Sequence, residues 1–408
     1  MKPLLAAFVL LSTTSAVAGG RPRYGGTFNI TAVTLSTDVD PLLADTPVDA
    51  ALVGLTSTPL CRLAEFSRPT PSTLRLSTPF GSEITKAITR VKNEPSPYRA
   101  LVAGIKSISA IPTGLELTLE APTVSLERVL CHPALSAAIA PYVKNVANAH
   151  HPDGRPYPDS LSLQRTDART AERLLSQRRT NLVLGAATSS EAPLLFATYL
   201  VLPAGKVTGL REAVEATTER PDLTRFFVRP PAAPLFGLLP PALGGTSTAP
   251  PRPTKPQPIS PAREVTLTFD ASNDDHRAIA EKLQVKLQPL GFRLSFRPIG
   301  RLDLHATSAS RSAELMLLTV LLPPSPAGAI TLLAELGGER VPSALGLATD
   351  TATQDKLARE LALSMNAGLG VIPLCVQGVG VSMTNDVQHL TRDAMGVPRL
   401  DDIFLSSE

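Results

Sequence analysis

The 408-residue chain contains no tryptophan, and aromatic residues make up only 4% of it. A pocket built from indole rings is therefore excluded. Cysteine is scarce too. Cys61, Cys131 and Cys375 are too far apart for a zinc site, which takes its ligands in close pairs. In an oxidising compartment two of them can pair and one is left over; unpaired, each packs as a small hydrophobe. An excess of one charge is also lacking. The 39 Lys and Arg face 36 Asp and Glu, for a net charge of +3, and the arginines are scattered. A nucleic-acid surface would gather them into a basic stripe, so no nucleic-acid partner is expected. Beyond the N-terminus no apolar run reaches the ~18 residues that a spanning helix needs, so no stable membrane insertion is expected. No Gly-x-Ser-x-Gly elbow and no Gly-rich phosphate loop ending in Lys-Ser/Thr occurs, which removes two common enzyme signatures.

What is present is globular in composition, with 43% hydrophobic and 18% charged residues. At roughly 100–200 residues per domain, two or three domains are expected. The 39 prolines predict many loops and short elements. Lys2, the apolar run Leu4–Leu11 and the small-residue pattern Ala16-Val17-Ala18 read as a signal peptide over residues 1–18, cut after Ala18. No cysteine follows the cut to carry a lipid.

Along the chain, "GTFNITAV" alternates as a half-buried strand, with Phe28, Ile30 and Ala32 on one side. Apolar residues from Ala50 to Leu55 recur at helical spacing. "RPTPSTLRLSTPFG" reads as a hairpin, followed by an amphipathic helix with Ile84, Ala87, Ile88 and Val91 on one face. A second hairpin ends in the alternating arm Leu115–Glu120. A helix capped by Thr123 or Ser125 comes next. "SLSLQRT", "DARTAERLLSQRR" and "TNLVLGAA" spell strand, helix and strand, with Asp167 as the cap. A further strand, "LLFATYLVLPA", and helix, "GLREAVEATTE", precede "TSTAPPRPTKPQPISPA", whose six prolines mark an extended connection. Beyond it, "EVTLTFD", a helix capped by Ser272 or Asn273, and "FRLSFRPIG" form a second strand–helix–strand unit. The pattern predicts an α/β protein with mixed sheets.

Several stretches, in order, carry a resemblance. "YGGTFNITAVTLSTDVDPLLADTPVDAALVGLTSTPLCRL", "SPYRALVAGIKSISAIPTGLELTLEAPTVSLERVLCHPAL", "PDGRPYPDSLSLQRTDARTAERLLSQRRTNLVLG", "VTLTFDASNDDHRAIAEKLQVKLQPLGFRLSF" and "VIPLCVQGVGVSMTNDVQHL" together resemble the extracellular solute-binding proteins of family 5, the peptide- and nickel-binding components of ABC importers. The resemblance implies a divergent member with a two-lobed periplasmic-binding-protein type 2 fold and a reduced second lobe. It implies lobe I over 19–245 plus 371–408, with a hairpin and helix subdomain at about 66–140. A proline-rich linker at 246–262 and lobe II over 263–370 complete the division. It implies a periplasmic, monomeric, non-enzymatic receptor that delivers a small molecule or peptide to an ABC permease, without a cofactor. The alternative is a degenerate scaffold with an interaction or structural role in the cell envelope. The family's second lobe usually carries a strand ending in an aromatic and acidic motif, whose aspartate binds a peptide's α-ammonium. The matching stretch here, Leu317–Pro326, has neither an acid nor an aromatic. The resemblance points to Ser57 and Thr58, after the first helix, and to Thr319 as cleft residues.

Other candidates read more simply. His150, His151 and Asp153 lie in a Gly/Pro loop, and adjacent histidines rarely chelate one ion; no metal is expected. Cys131 and His132 are adjacent on a helix, where neighbours point about 100° apart, so they are not a nucleophile and its base. Glu212 and Glu215 belong to a solvated helix face. "GVGV" at 378–381 reads as a strand with a close backbone approach.

Overall fold

The computed structural model describes residues 21–407 apart from 24, 35–38, 140–157, 189–192, 203–206, 251–256, 340–344, 347, 349, 367 and 401–402. The expected signal segment and cleavage point, His150, His151, Asp153 and the middle of the proline-rich stretch lie outside the described residues.

Three sheets carry the architecture. The first has the strand order Val381–Met383, Leu182–Leu184, Thr27–Val33, Ser160–Thr166. Thr27–Val33 runs parallel to both of its neighbours, with Thr31 opposite Val183 on one side and Gln164 on the other. Phe28, Ile30 and Ala32 are buried, as their alternation predicts. Thr31 and Val33 are buried as well, because a central strand is covered on both faces. The crossover between the parallel strands Ser160–Thr166 and Leu182–Leu184 is supplied by helix Ala168–Ser176, which buries Ala171 against Val33 and Val183.

The second sheet has six strands in the order Ala232–Pro234, Val371–Gln377, Phe196–Val201, Leu315–Leu321, Arg263–Asp270, Phe292–Ile299. Leu315–Leu321 sits near its middle and every residue in it is buried. Its two faces feed different cores. Met316, Leu318 and Val320 join the large core that continues into the first half of the molecule. Leu315 and Leu317 join a second core under the helices Leu210–Thr217 and Asp274–Leu287. The third sheet is an antiparallel subdomain of Glu65–Thr70, Thr73–Ser77, Gly114–Leu119 and Ile105–Ile111. Helix Gly81–Asn93 covers it with the expected face of Ile84, Ala87, Ile88 and Val91. The helix expected after Thr123 is short, Leu126–Val129, and Ser125 occupies its N-cap position without a side-chain cap bond.

Strand pairing does not divide the chain at the proline-rich stretch. Phe196–Val201, Ala232–Pro234 and Val371–Gln377 all pair within the second sheet, so that sheet draws on residues from 196 to 377 and the stretch 246–262 lies inside it. The chain passes between the sheets twice, after Leu184 and between Gln377 and Val381. Proline clusters report an extended local backbone; a change of sheet is a long-range pairing event and leaves no such local mark.

Cys61 and Cys131 form a disulfide with their Cα atoms 4.9 Å apart, and Cys375 is free and buried. No helix among the described residues is long and apolar enough to cross a membrane.

Candidate functional site

Each large sheet holds parallel strands joined through a helix, beside antiparallel partners, and such strand–helix units collect ligands at the carboxyl ends of their strands. A cavity of about 360 Å³ lies there, between the two sheets. From the first sheet Val33, Thr166 and Gly185 reach it at or just past their strand ends; from the second, Ser272 and Asn273 do so beyond Asp270. Four helices begin at its wall, at Pro47, Ala168, Asp274 and Arg301. Three of these starts are capped by their own side chains. Thr46 accepts from the Asp49 amide at 3.2 Å, Asp167 from the Thr170 amide at 3.0 Å, and Asn273 from the amides of Asp275 and His276 at 3.0 and 3.2 Å.

The floor is the pair of chain crossings. The Gly185 amide donates to the Gly380 carbonyl at 2.8 Å, and the Gly378 amide to Pro231 at 3.0 Å. A Cβ at Gly380 would stand 1.8 Å from the Ala186 carbonyl oxygen, so the expected close backbone approach in "GVGV" occurs at this residue. Gln377 donates from Nε2 to Asp275 Oδ2 at 2.8 Å, and the Arg229 amide reaches the same oxygen at 3.2 Å. The Arg229 side chain crosses to the first half, donating from Nη1 to the Val33 carbonyl at 3.3 Å.

One wall is a buried charge cluster that links the halves. Arg301 Nη1 donates to Asp49 Oδ2 and to the Leu43 carbonyl, both at 2.7 Å, while its Nε donates to Asp270 Oδ2 at 3.0 Å. Burial works against the Arg301 charge, but Asp49, Asp45 and Asp270 outweigh it and its pKa stands above the ordinary value. Burial pushes Asp270 up; Arg301 and two bonds from Ser272 pull it further down, so it lies below the usual carboxylate range. At Asp49 burial prevails over Arg301 and the pKa is raised. Next to this cluster His305 Nε2 lies 2.6 Å from Asp45 Oδ2, and the Tyr98 hydroxyl donates to Asp45 Oδ1 at 3.2 Å while accepting from the Leu321 amide.

Of the expected cleft residues, Thr319 lines the cavity. Its hydroxyl lies 2.8 Å from both Thr198 Oγ1 and His276 Nε2, and burial lowers the His276 pKa to about 4. Ser57 and Thr58 sit at the other end of helix Pro47–Thr56, about 15 Å from the end that meets the cavity. Both are buried; the Thr58 hydroxyl donates to the Ile139 carbonyl at 2.6 Å and Ser57 closes the helix. The second sheet's strand 315–321 brings no carboxylate, but Asp274 and Asp275 bring two from the helix start beside it. The sequence signal for them was the cap: Asn273 fixes the helix start and so puts both acids in the first turn. Arg229 and Arg301 had no local signal, because their partners lie far away in sequence. Cys131 is tied up in the disulfide, and His132 Nε2 donates to the Leu321 carbonyl at 2.8 Å. Its Nδ1 accepts from the Ala134 amide, which fixes the tautomer. Glu215 pairs with Arg211 at 3.1 Å.

No protein-family model matches the chain, and no curated protein matches it by sequence. Solved structures do. The ABC transporter-associated periplasmic binding protein DppA from Helicobacter pylori, in complex with a peptide, matches with a TM-score of 0.72 at 12% identity, over 94% of this chain and 99% of its own. NikA from Staphylococcus aureus, in complex with Ni(L-His)2, matches with a TM-score of 0.69 at 11% identity, over 93% and 99%. The oligopeptide-binding protein AppA from Bacillus subtilis, in complex with a nonapeptide, gives 0.67 at 10% identity, over 95% and 100%. The fold is therefore that of the type 2 periplasmic binding proteins.

Proposed function

We propose that this chain, whose fold is shared with binding proteins of ABC transporters, is itself an exported solute receptor. Its halves, 27–184 with 381–407 and 196–377, close on a small polar solute and present it to an ABC permease. The observation that carries this reading is the cavity of about 360 Å³, set at the strand ends of both sheets and floored by the two chain crossings. Two adjacent crossings are a hinge geometry, and a ligand touching both sides favours the closed arrangement by contacts that the open one lacks. The volume is near the lower end for ligand pockets, which suits a compact solute better than a long peptide. The Leu4–Leu11 run and the Ala16–Ala18 pattern support export to the periplasm.

Thermal unfolding against pools of amino acids, short peptides, amines, sugars and metal chelates tests the proposal. A true ligand at about 100 times its Kd stabilises by about 2.7 kcal/mol, a shift of several degrees. Small-angle scattering with that ligand should show a smaller radius of gyration. A second reading, an envelope scaffold that no longer transports, draws support from the buried Arg301 cluster tying the halves together and from the core they share. Absence of a shift with every pool, with unchanged scattering, would favour it.

A further inference from the structure

The charge balance of the cavity goes beyond a polar solute and names its sign. We infer that the cleft takes a small, net-positive, amine-bearing solute, held by Asp167 from one half and by Asp274 and Asp275 from the other. The inference rests on the receptor reading above. Among the described residues five charged side chains line the cavity: Asp167, Asp274, Asp275, Arg229 and Arg301. Arg301 is already matched by two buried carboxylates, Asp49 at 2.7 Å and Asp270 at 3.0 Å, so it offers a ligand no unspent charge. One cation, Arg229, then shares the cavity with three carboxylates; Asp167 and Asp275 already accept from Thr170, Gln377 and the Arg229 amide, but these neutral donors leave their negative charge unmatched. Asp167 is held below the usual carboxylate range by two bonds from Thr170, and so is ionised at neutral pH.

Helix starts would by themselves attract an anion. Here Thr46, Asp167 and Asn273 already take the first amides of three of the four. Two of these helix starts also carry their own acids, which offset the dipole. An anion would therefore meet carboxylates where a binding amide is needed. Among the described residues no aromatic ring lines the cavity, so a cation there is gripped by carboxylates and hydroxyls rather than by π faces. Acids from both halves also give the ligand its differential contact: an amine that bridges them pulls the halves together.

The test is titration calorimetry on the full mature chain with butane-1,4-diamine, lysine, arginine, alanine, succinate and glucose. The diamine or a basic amino acid should bind, and its affinity should fall as salt rises from 20 to 500 mM, roughly as screening predicts. Asp167→Asn, Asp274→Asn and Asp275→Asn keep the size and the capping or accepting oxygen. Each should weaken that binding about tenfold. If one variant fails to fold, the other two and the salt series still decide. Cation binding that ignores all three changes overturns the inference. Alanine, succinate or glucose bound in preference to the cations also overturns it, while leaving the receptor reading intact. If neither these probes nor any broader pool binds, the receptor reading itself fails.

Discussion

At the residue scale the buried histidines set how the protein tolerates acid. His132 and His276 are enclosed, and burial lowers each pKa from the ordinary 6.5 to about 4. His132 is fixed neutral by bonds at both nitrogens, one donated to Leu321 and one accepted from Ala134. His276 shares the hydroxyl of Thr319 inside the cavity wall. The folded state thus binds fewer protons than the unfolded state between these values. Their stabilising effect is whole above pH 6.5 and is lost as pH falls toward 4, by up to about 3 kcal/mol for each histidine. Urea midpoints should drop between pH 7 and pH 4.5, above the range where the depressed carboxylates Asp270 and Asp167 titrate. His276→Gln, which keeps a polar group for Thr319, should remove about half of that drop. A midpoint that stays flat across this range would contradict the assignment.

At the element scale the decisive contacts are where the chain changes sheet. A Cβ at Gly380 would meet backbone, the Ala186 oxygen at 1.8 Å, whereas one at Gly378 would meet the Leu194 Cδ2 at 2.6 Å, a side chain that can turn away. Gly380→Ala should therefore cost about 2–3 kcal/mol in chemical denaturation and Gly378→Ala about 1 kcal/mol or less. Equal costs would show that the two crossings are not packed as described. These contacts also mark the limit of what the sequence discloses. Strands and helices with strong periodicity were legible: Thr27–Val33, the Ile84 face, Asp167 as a cap, and Asn273 as one of two cap candidates beside Ser272. Helix Pro326–Gly337 was not, because almost all of it is buried and, apart from Thr331 and Glu335, it is apolar all round and has no face to betray it, although Ser325 before Pro326 is a cap-and-start signal. Helix Arg301–Ser310, rich in Ser, Thr and His, has a weak period as well. With helix Arg301–Ser310 missed, the arginine that the helix start brings to the cavity wall had no place; helix Pro326–Gly337 does not reach that wall. Thr319 could be named from the resemblance, but the acids opposite it could be placed only once the sheet order was known.

At the scale of the whole molecule, Arg301 is the cross-brace. Its helix belongs to the half built on the six-stranded sheet, yet its Nη1 ends on Asp49 and Leu43 of the other half, and its Nε holds Asp270 of its own. The side chain is 6% exposed and its two acidic partners 1% and 4%. At that burial the attraction is weakly screened, but so is the penalty for removing one member, since the remaining charges stay enclosed without a counterion. Arg301→Met keeps the aliphatic volume and strands both carboxylates. It should lower stability by about 3–5 kcal/mol, and Asp49→Asn combined with Asp270→Asn in the same chain should restore part of the loss. The pair also separates the two functional readings. If the halves hinge freely, the Met variant will relax its stranded acids by opening to water, and scattering will report a larger radius of gyration that a bound solute reverses. If the halves are permanently joined through their shared core, the same variant will lose stability with no change in radius, because separating them would also expose Leu318, Val320 and Leu321.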